Sequence, residues 1–91
     1  MFGNGDLIEI DAAPYHAKAR IRGITNEGAL KLHVAFEQGG YLPWSDDTIR
    51  IRRCSDDSAP SFDARILHTS TATALIEVIG QTPVEKLGRL T

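Results

Sequence analysis

The sequence predicts an all-β protein, a small SH3-like barrel of about five to six antiparallel strands that leaves room for a short C-terminal helix. Apolar residues recur at every second position over most of the chain, which is the period of a strand with one buried face. These runs are short and are separated by turn residues, as expected for a barrel or sandwich. With 91 residues, 42% of them hydrophobic, the chain is predicted to form one domain, 1–91.

Six segments carry the strand pattern. In the clearest one, Leu30, Leu32, Val34 and Phe36 alternate with polar or small residues, so one face of this strand is expected to be buried. Phe36 and Phe62 fall on inward faces and are predicted to be core residues. The predicted strands cover residues 7–10, 17–24, 29–36, 49–53, 62–67 and 75–79.

The connections fit this order. Residues 25–28 (Thr-Asn-Glu-Gly) predict a hairpin turn, because Asn and Gly tolerate positive φ. Residues 38–40 can end the third strand, residues 54–61 read as a loop, and residues 70–73 read as another turn. After Pro83, the segment 84–90 places three apolar residues on one helical face, which predicts a short terminal helix.

Composition narrows the class of protein. A formal net charge of −2 disfavours a general nucleic-acid coat protein and still allows a local basic patch. Cys54 is the only cysteine, so no disulfide can form within the chain. No apolar run approaches the roughly 20 residues that span a bilayer, and the first residues do not resemble a signal peptide. We therefore expect a cytoplasmic protein with no membrane contact.

No catalytic constellation is evident. His16, His33 and His68 are far apart in sequence and lack the spacing of metal ligands. The acidic pairs at 46–47 and 56–57 read as solvated loops, and Cys54 reads as a structural cysteine. The sequence predicts neither an enzyme nor a bound cofactor or metal.

A basic surface is the sharpest functional prediction. If residue 24 pairs with residue 29 across the turn, Arg22 faces Lys31 and Arg20 faces His33. Like charges opposite one another are unfavourable in a sheet unless an anionic partner covers them. The alternative is neutralisation by nearby acids such as Glu37, Asp46, Asp47 or Asp63. The predicted basic surface comprises Lys18, Arg20, Arg22, Lys31, His33, Arg50 and Arg52.

Exposed aromatic and aliphatic side chains extend this prediction. Tyr15, Tyr41 and Trp44 lie in or next to connections, where aromatic side chains often contact partners. The alternative for Trp44 is that it covers one end of the core. Leu67, Leu75 and Ile79 are expected to face outward on late strands, which would allow pairing with another chain, including a second copy.

Residues 5–52 resemble a Tudor-type SH3-like barrel. The resemblance rests on Gly5-Asp6, on the strand from Tyr15 to Ile21, on the Val34-x-Phe36-x-x-Gly39 pattern, on Trp44 and on Ile49-Arg50. It implies a module that binds peptides, modified side chains or nucleic acid. Tudor domains hold methylated lysine or arginine in an aromatic cage, for which Tyr15, Phe36, Tyr41 and Trp44 are the matching residues. Residues 61–91 would then add a hairpin and a C-terminal segment.

A second resemblance covers the longer chain. Residues 23–30 are similar to the PilZ motif Asp/Asn-x-Ser-x-x-Gly, with Thr25 at the serine, Gly28 at the glycine and Gly23 in place of the acid. PilZ domains are six-stranded barrels with a C-terminal helix that bind cyclic-di-GMP. The Arg-x-x-x-Arg pattern that precedes the motif in that family does not occur here.

These observations lead to one functional prediction and an alternative. The chain is expected to be a non-catalytic adaptor or regulatory subunit that binds a protein, or in a variant a nucleic acid, through the basic surface and an aromatic rim at Tyr41–Trp44. The alternative is a PilZ-like receptor for cyclic-di-GMP, or a degenerate PilZ-like domain that binds another protein.

Overall fold

Six strands make up the regular structure of this protein. The structure is a computed structural model that describes residues 2–37, 42, 48–55 and 58–81, and no helix occurs among them. Each observed strand overlaps a predicted one, so the all-β prediction is confirmed. The predicted helix at 84–90 and the predicted strand end at 38–40 lie outside the described residues. The strands are Leu7–Ala12 (β1), Tyr15–Glu27 (β2), Ala29–Phe36 (β3), Ile49–Arg53 (β4), Phe62–Thr69 (β5) and Thr73–Gln81 (β6).

The strands close into one antiparallel barrel, in the order β1-β2-β3-β6-β5-β4. β4 pairs with β1 to complete the ring, with Ile10 opposite Ile51. β5 and β6 form a hairpin that fills the space between β3 and β4, so the late strands belong to the same barrel as the early ones. This architecture is compatible with an SH3-like barrel. No described helix is long and apolar enough to cross a membrane.

The core consists of the inward side chains of all six strands. Period-two alternation places isoleucines from β1, β4, β5 and β6 at the centre, and each of them is at most 2% exposed. Phe36 and Phe62 pack against this cluster and are half-buried, and the Phe62 ring lies edge-on to Phe2 with 5.3 Å between ring centroids. Leu42, from the connection between β3 and β4, is fully buried.

The β2–β3 hairpin differs from its prediction. β2 continues to Glu27, which pairs directly with Ala29, so Gly28 alone connects the strands and has a φ of +80°. The predicted four-residue turn and the pairing of residue 24 with residue 29 are therefore wrong. Glycine accepts the left-handed region without a Cβ clash, which allows this tighter reversal and a longer strand.

An irregularity in the register also changes which side chains face one another. The pairing shifts between Ile21 and Gly23, so Arg22 is an extra residue in a β-bulge. The predicted pairs of Arg22 with Lys31 and of Arg20 with His33 are consequently wrong. Lys31 lies opposite Thr25, His33 lies opposite Gly23, and Arg20 lies opposite Ala35.

The last hairpin follows its prediction. β5 ends at Thr69 and β6 begins at Thr73, with the predicted turn between them. The Ser70 N–H donates to the Thr73 carbonyl at 2.8 Å, and the hydroxyls of the same two residues are 2.9 Å apart. Hydroxyl side chains that bond neighbouring backbone groups thus provide the closure for which glycine or asparagine is more often used.

Candidate partner-binding surface

The predicted basic residues occupy two separate parts of the barrel exterior. Lys18, Arg50 and Arg52 lie where β1 is flanked by β2 and β4. Arg22, Lys31 and His33 lie on β2 and β3, on the side where β3 pairs with β6. The two parts differ in how their charges are compensated.

The first part is a ladder of alternating charges, which we call the charge ladder. Glu9 lies between Lys18 of β2 and Arg52 of β4, and its Oε1 accepts a hydrogen bond from Arg52 Nη2 at 2.7 Å. One step along the strands, Asp11 lies between His16 and Arg50. Opposite charges across strands stabilise a sheet. Arg52 forms an ion pair with Glu9, whereas Lys18 and Arg50 lie opposite carboxylates by register.

Arg20 is compensated in a different way. Its Nη1 donates to the Gly5 carbonyl at 2.9 Å, and its Nε lies 3.6 Å from Oε2 of Glu37. The alternative stated for the basic surface, neutralisation by neighbouring acids, therefore describes Arg20 and the charge ladder. Glu37 was named in that alternative, whereas Glu9 was not.

In the second part, Arg22 and His33 line a groove of about 340 Å³ across the outer face of β2, β3, β6 and β5, and Lys31 lies outside the described lining. A row of cross-strand neighbours runs along it: Gly23 pairs with His33, His33 with Leu75, and Leu75 with His68. We call this surface the groove. Its described lining residues are Arg22, His33, Val34, His68, Thr73, Ala74 and Leu75.

Two β-bulges flank the groove. The first contains Arg22 on β2, and the second lies between Ile66 and His68 on β5, where Leu67 is the extra residue. A bulge redirects the side chains that follow it, and bulges are common beside functional sites. Without the second bulge, strict alternation would turn His68 inward, because Ile66 is buried. The bulge instead places the exposed His68 across Leu75 from His33.

Gly23 leaves space next to one of the imidazoles. A methyl group built at Gly23 would lie 3.7 Å from Cβ and 3.8 Å from Cδ2 of His33, which are ordinary van der Waals distances. The His33 ring therefore borders a position that carries no side chain, and a ligand can approach it from this side.

The side chains of the groove include hydrogen-bond donors that suit an anion. None of its described lining residues is acidic, and three of them are arginine or histidine. Arg22 is exposed and forms no ion pair with any residue that the structure describes. At the border, Glu77 lies opposite Lys31 and accepts a bond from Arg65 Nη2 at 3.0 Å, so its charge is compensated.

The aromatic and aliphatic predictions have mixed outcomes. Tyr15 is 48% exposed but lies at the opposite end of β2 from Glu27, about 23 Å from Arg22 along the strand. Tyr41 and Trp44 lie outside the described residues, so their rim stays a prediction. Leu67 and Ile79 are 37% and 55% exposed, which confirms that they face outward. Leu75 also faces outward and forms the apolar part of the groove.

Comparisons with known proteins add no relative. A scan against protein-family models, a search of curated proteins and a search of solved structures found no significant match to this chain. Over the described ranges, no three His, Cys, Asp or Glu side chains come together in a way that could hold a metal ion.

Proposed function

We propose that this protein is a non-catalytic binding module, an adaptor or regulatory subunit, that engages a protein or nucleic-acid partner through the groove. One observation supports it most: an arginine and two histidines meet between two bulges, and no carboxylate is among the described lining residues. The proposal narrows the predicted basic surface to Arg22, His33 and their neighbours. The remaining arginines of that surface each lie beside a carboxylate of the barrel.

A pair of matched arginine variants tests the location. Arg22→Gln and Arg50→Gln each remove one exposed positive charge, the first from the groove and the second from the charge ladder. Capture of partners from the native host, quantified after chemical cross-linking, should fall for Arg22→Gln and persist for Arg50→Gln. Equal capture by both variants would contradict the proposal, and far-ultraviolet circular dichroism checks that both remain folded.

The Tudor-type resemblance supplies a finer proposal for the ligand. An aromatic cage would hold a methylated lysine or arginine by cation–π attraction. Of its four matching residues, Tyr15 is exposed and Phe36 packs against the core. A cage would therefore use Tyr15, Tyr41 and Trp44. Trp44→Ala should abolish binding of a trimethyl-lysine peptide if the cage forms. Unchanged binding would exclude the aromatic cage.

A PilZ-like receptor for cyclic-di-GMP is the second candidate, and the number of strands in the closed barrel favours it. Gly23, at the acidic position of the motif, borders the groove beside His33. Calorimetry with cyclic-di-GMP tests this candidate: a measurable heat and a raised melting temperature would support it. On this interpretation Gly23→Asp and Gly23→Asn both restore the motif and should strengthen binding. If the parent protein and both Gly23 variants give no heat with cyclic-di-GMP, the PilZ-like candidate is excluded.

A further inference from the structure

We infer that the groove binds an extended acidic peptide segment of a partner protein. In this segment, one carboxylate lies on each side of an apolar side chain. The inference rests on the proposed function and names the class of partner. It is carried by the row of residues across the four strands, in which basic positions lie on both sides of Leu75.

The dimensions of the row fit a peptide in extended conformation. From Gly23 to His68 the row crosses three strand intervals of about 4.8 Å, or about 14 Å along the surface. In an extended chain, side chains on one face repeat every 6.6–6.8 Å or so, and three of them span about 13 Å. The first side chain would lie near Arg22 and His33, the second over Leu75 and the third near His68. The matching pattern is acid-x-apolar-x-acid.

The chemistry of each position agrees with this pattern. The Arg22 guanidinium presents a planar set of donors that suits a carboxylate, and an imidazole N–H adds a further donor. Leu75 is half-buried between the two histidines, so an apolar side chain placed over it would remove apolar surface from water. Among the described residues, Glu77 at the border of the groove is bonded by Arg65 and Glu37 lies against Arg20, and neither forms an ion pair with Arg22.

The surroundings favour a peptide over a nucleic acid. A nucleic-acid backbone carries a phosphate at every nucleotide and needs a continuous basic path. Beyond the groove, such a backbone would meet Glu77 on one side and Glu37 beyond Arg20 on the other, on a chain whose net charge is −2. A peptide that carries only two carboxylates satisfies the basic positions without reaching these acids.

Gly23 provides a variant that adds charge without removing any contact. Gly23→Asp would place a carboxylate beside His33, in space that accepts a Cβ at ordinary contact distances. Gly23→Asn is the matched control, since it has the same shape and no charge. If the groove binds an acidic peptide, only the aspartate should oppose it.

The experiment titrates the full chain with three probes and follows backbone amide shifts by NMR. The probes are the peptide Ac-Asp-Ser-Leu-Ser-Asp-amide, its uncharged counterpart with Asn in place of Asp, and a ten-nucleotide oligo-dT. We expect the acidic peptide to shift the amides of Arg22, His33, His68 and Leu75 and to leave the charge ladder unchanged. Its dissociation constant should rise about threefold to tenfold in Gly23→Asp, the effect of one exposed charge, and less than about twofold in Gly23→Asn.

Other outcomes overturn the inference at different levels. Equal binding of the uncharged peptide, or shifts centred on Glu9 and Arg52, would show that the acidic groups do not select the groove. Binding of oligo-dT alone, at the same amides, would overturn the peptide and leave the proposed binding function standing. If no probe binds and Arg22→Gln captures host partners as well as the parent protein does, the proposed function fails as well.

Discussion

Arg20 and Arg22 belong to the same strand and are two positions apart, yet their surroundings assign them different tasks. Arg20 bonds the Gly5 carbonyl and lies against Glu37, so it ties the start of the chain and the end of β3 to β2. Arg22 is the extra residue of a bulge and lines the groove. In the alternating pattern of the sequence the two arginines are equivalent. Only the bulge in the folded strand distinguishes them.

Two glycines on the same hairpin allow a prediction at this scale. Gly28 has a φ of +80°, where any side chain is strained although nothing lies within 4 Å of its Cβ position. Gly28→Ala should lower the free energy of unfolding by about 1–2 kcal/mol. Gly23 has no positive φ and accepts a methyl group, so Gly23→Ala should be neutral or raise stability by up to about 1 kcal/mol. Urea denaturation measures both. A larger loss for Gly23→Ala would contradict this account of the hairpin.

The groove residues show where prediction from sequence stops. Arg22 and His33 follow from the alternation of β2 and β3, and Leu75 follows from the outward face of β6. His68 does not, because an unbroken alternation after Ile66 turns it toward the core. Its outward position depends on the Leu67 bulge, and the sequence around residue 67 contains no glycine or proline that would signal one.

At the scale of elements, β1 has a second role besides filling the core. Its inward residues Ile8 and Ile10 are fully buried, while its outward carboxylates lie between basic residues of both neighbouring strands. The sequence separation of Glu9 and Arg52 is 43 residues, so their contact exists only because the barrel closes between β1 and β4. Long-range pairs of this kind cannot be read from the period of either strand.

A double-mutant cycle tests that contact. Both side chains of the Arg52–Glu9 pair are about one third exposed, at 33% and 38%, and solvent screens such pairs. We expect Glu9→Gln and Arg52→Gln to be coupled by about 0.5–1 kcal/mol in urea denaturation, with a smaller coupling in high salt. The same cycle on Lys18 and Arg65, which belong to separate rows, serves as the control. A coupling near zero for the first pair would mean that strand pairing alone holds β1 to β4.

The positions of the strands were predictable, whereas their register was not. Alternation depends on burial and is visible locally, so all six strands were predicted within a few residues of their bounds. Register depends on the length of the turn and on bulges, and both differed from expectation between β2 and β3. The register of this hairpin differs from the predicted one by three residues next to the turn and by two beyond the bulge, which separates the predicted pairs of like charge.

At the scale of the whole molecule, closure divides every strand into an inner and an outer set of side chains with different tasks. Buried residues such as Ile8, Leu32 and Ile76 fill one small core. Among the outer residues, one set forms the charge ladder and another lines the groove. Sequence predicted a small barrel because short alternating strands must bury one face, but its closure depends on the β3–β6 and β1–β4 pairings, which are distant in sequence.

One leucine on β3 and one on the neighbouring strand β6 provide the last prediction. Leu32 on β3 is fully buried, whereas Leu75 on β6 is half-buried and faces the groove. Leu32→Ala should lower the free energy of unfolding by roughly 2–5 kcal/mol, because it removes core contacts and leaves a cavity. Leu75→Ala should cost only about 1 kcal/mol, since part of the side chain already contacts water.

A binding measurement completes this comparison. The free energy of unfolding of a domain of this size is about 5–15 kcal/mol. Leu32→Ala therefore approaches the limit of folding, whereas Leu75→Ala remains folded. If the groove is the binding surface, Leu75→Ala should still raise the dissociation constant of the acidic peptide about threefold or more. The substitution removes apolar surface that the peptide would cover. Comparable losses of stability for the two leucines would mean that Leu75 belongs to the core. Intact peptide binding by a stable Leu75→Ala protein would place the partner elsewhere on the barrel.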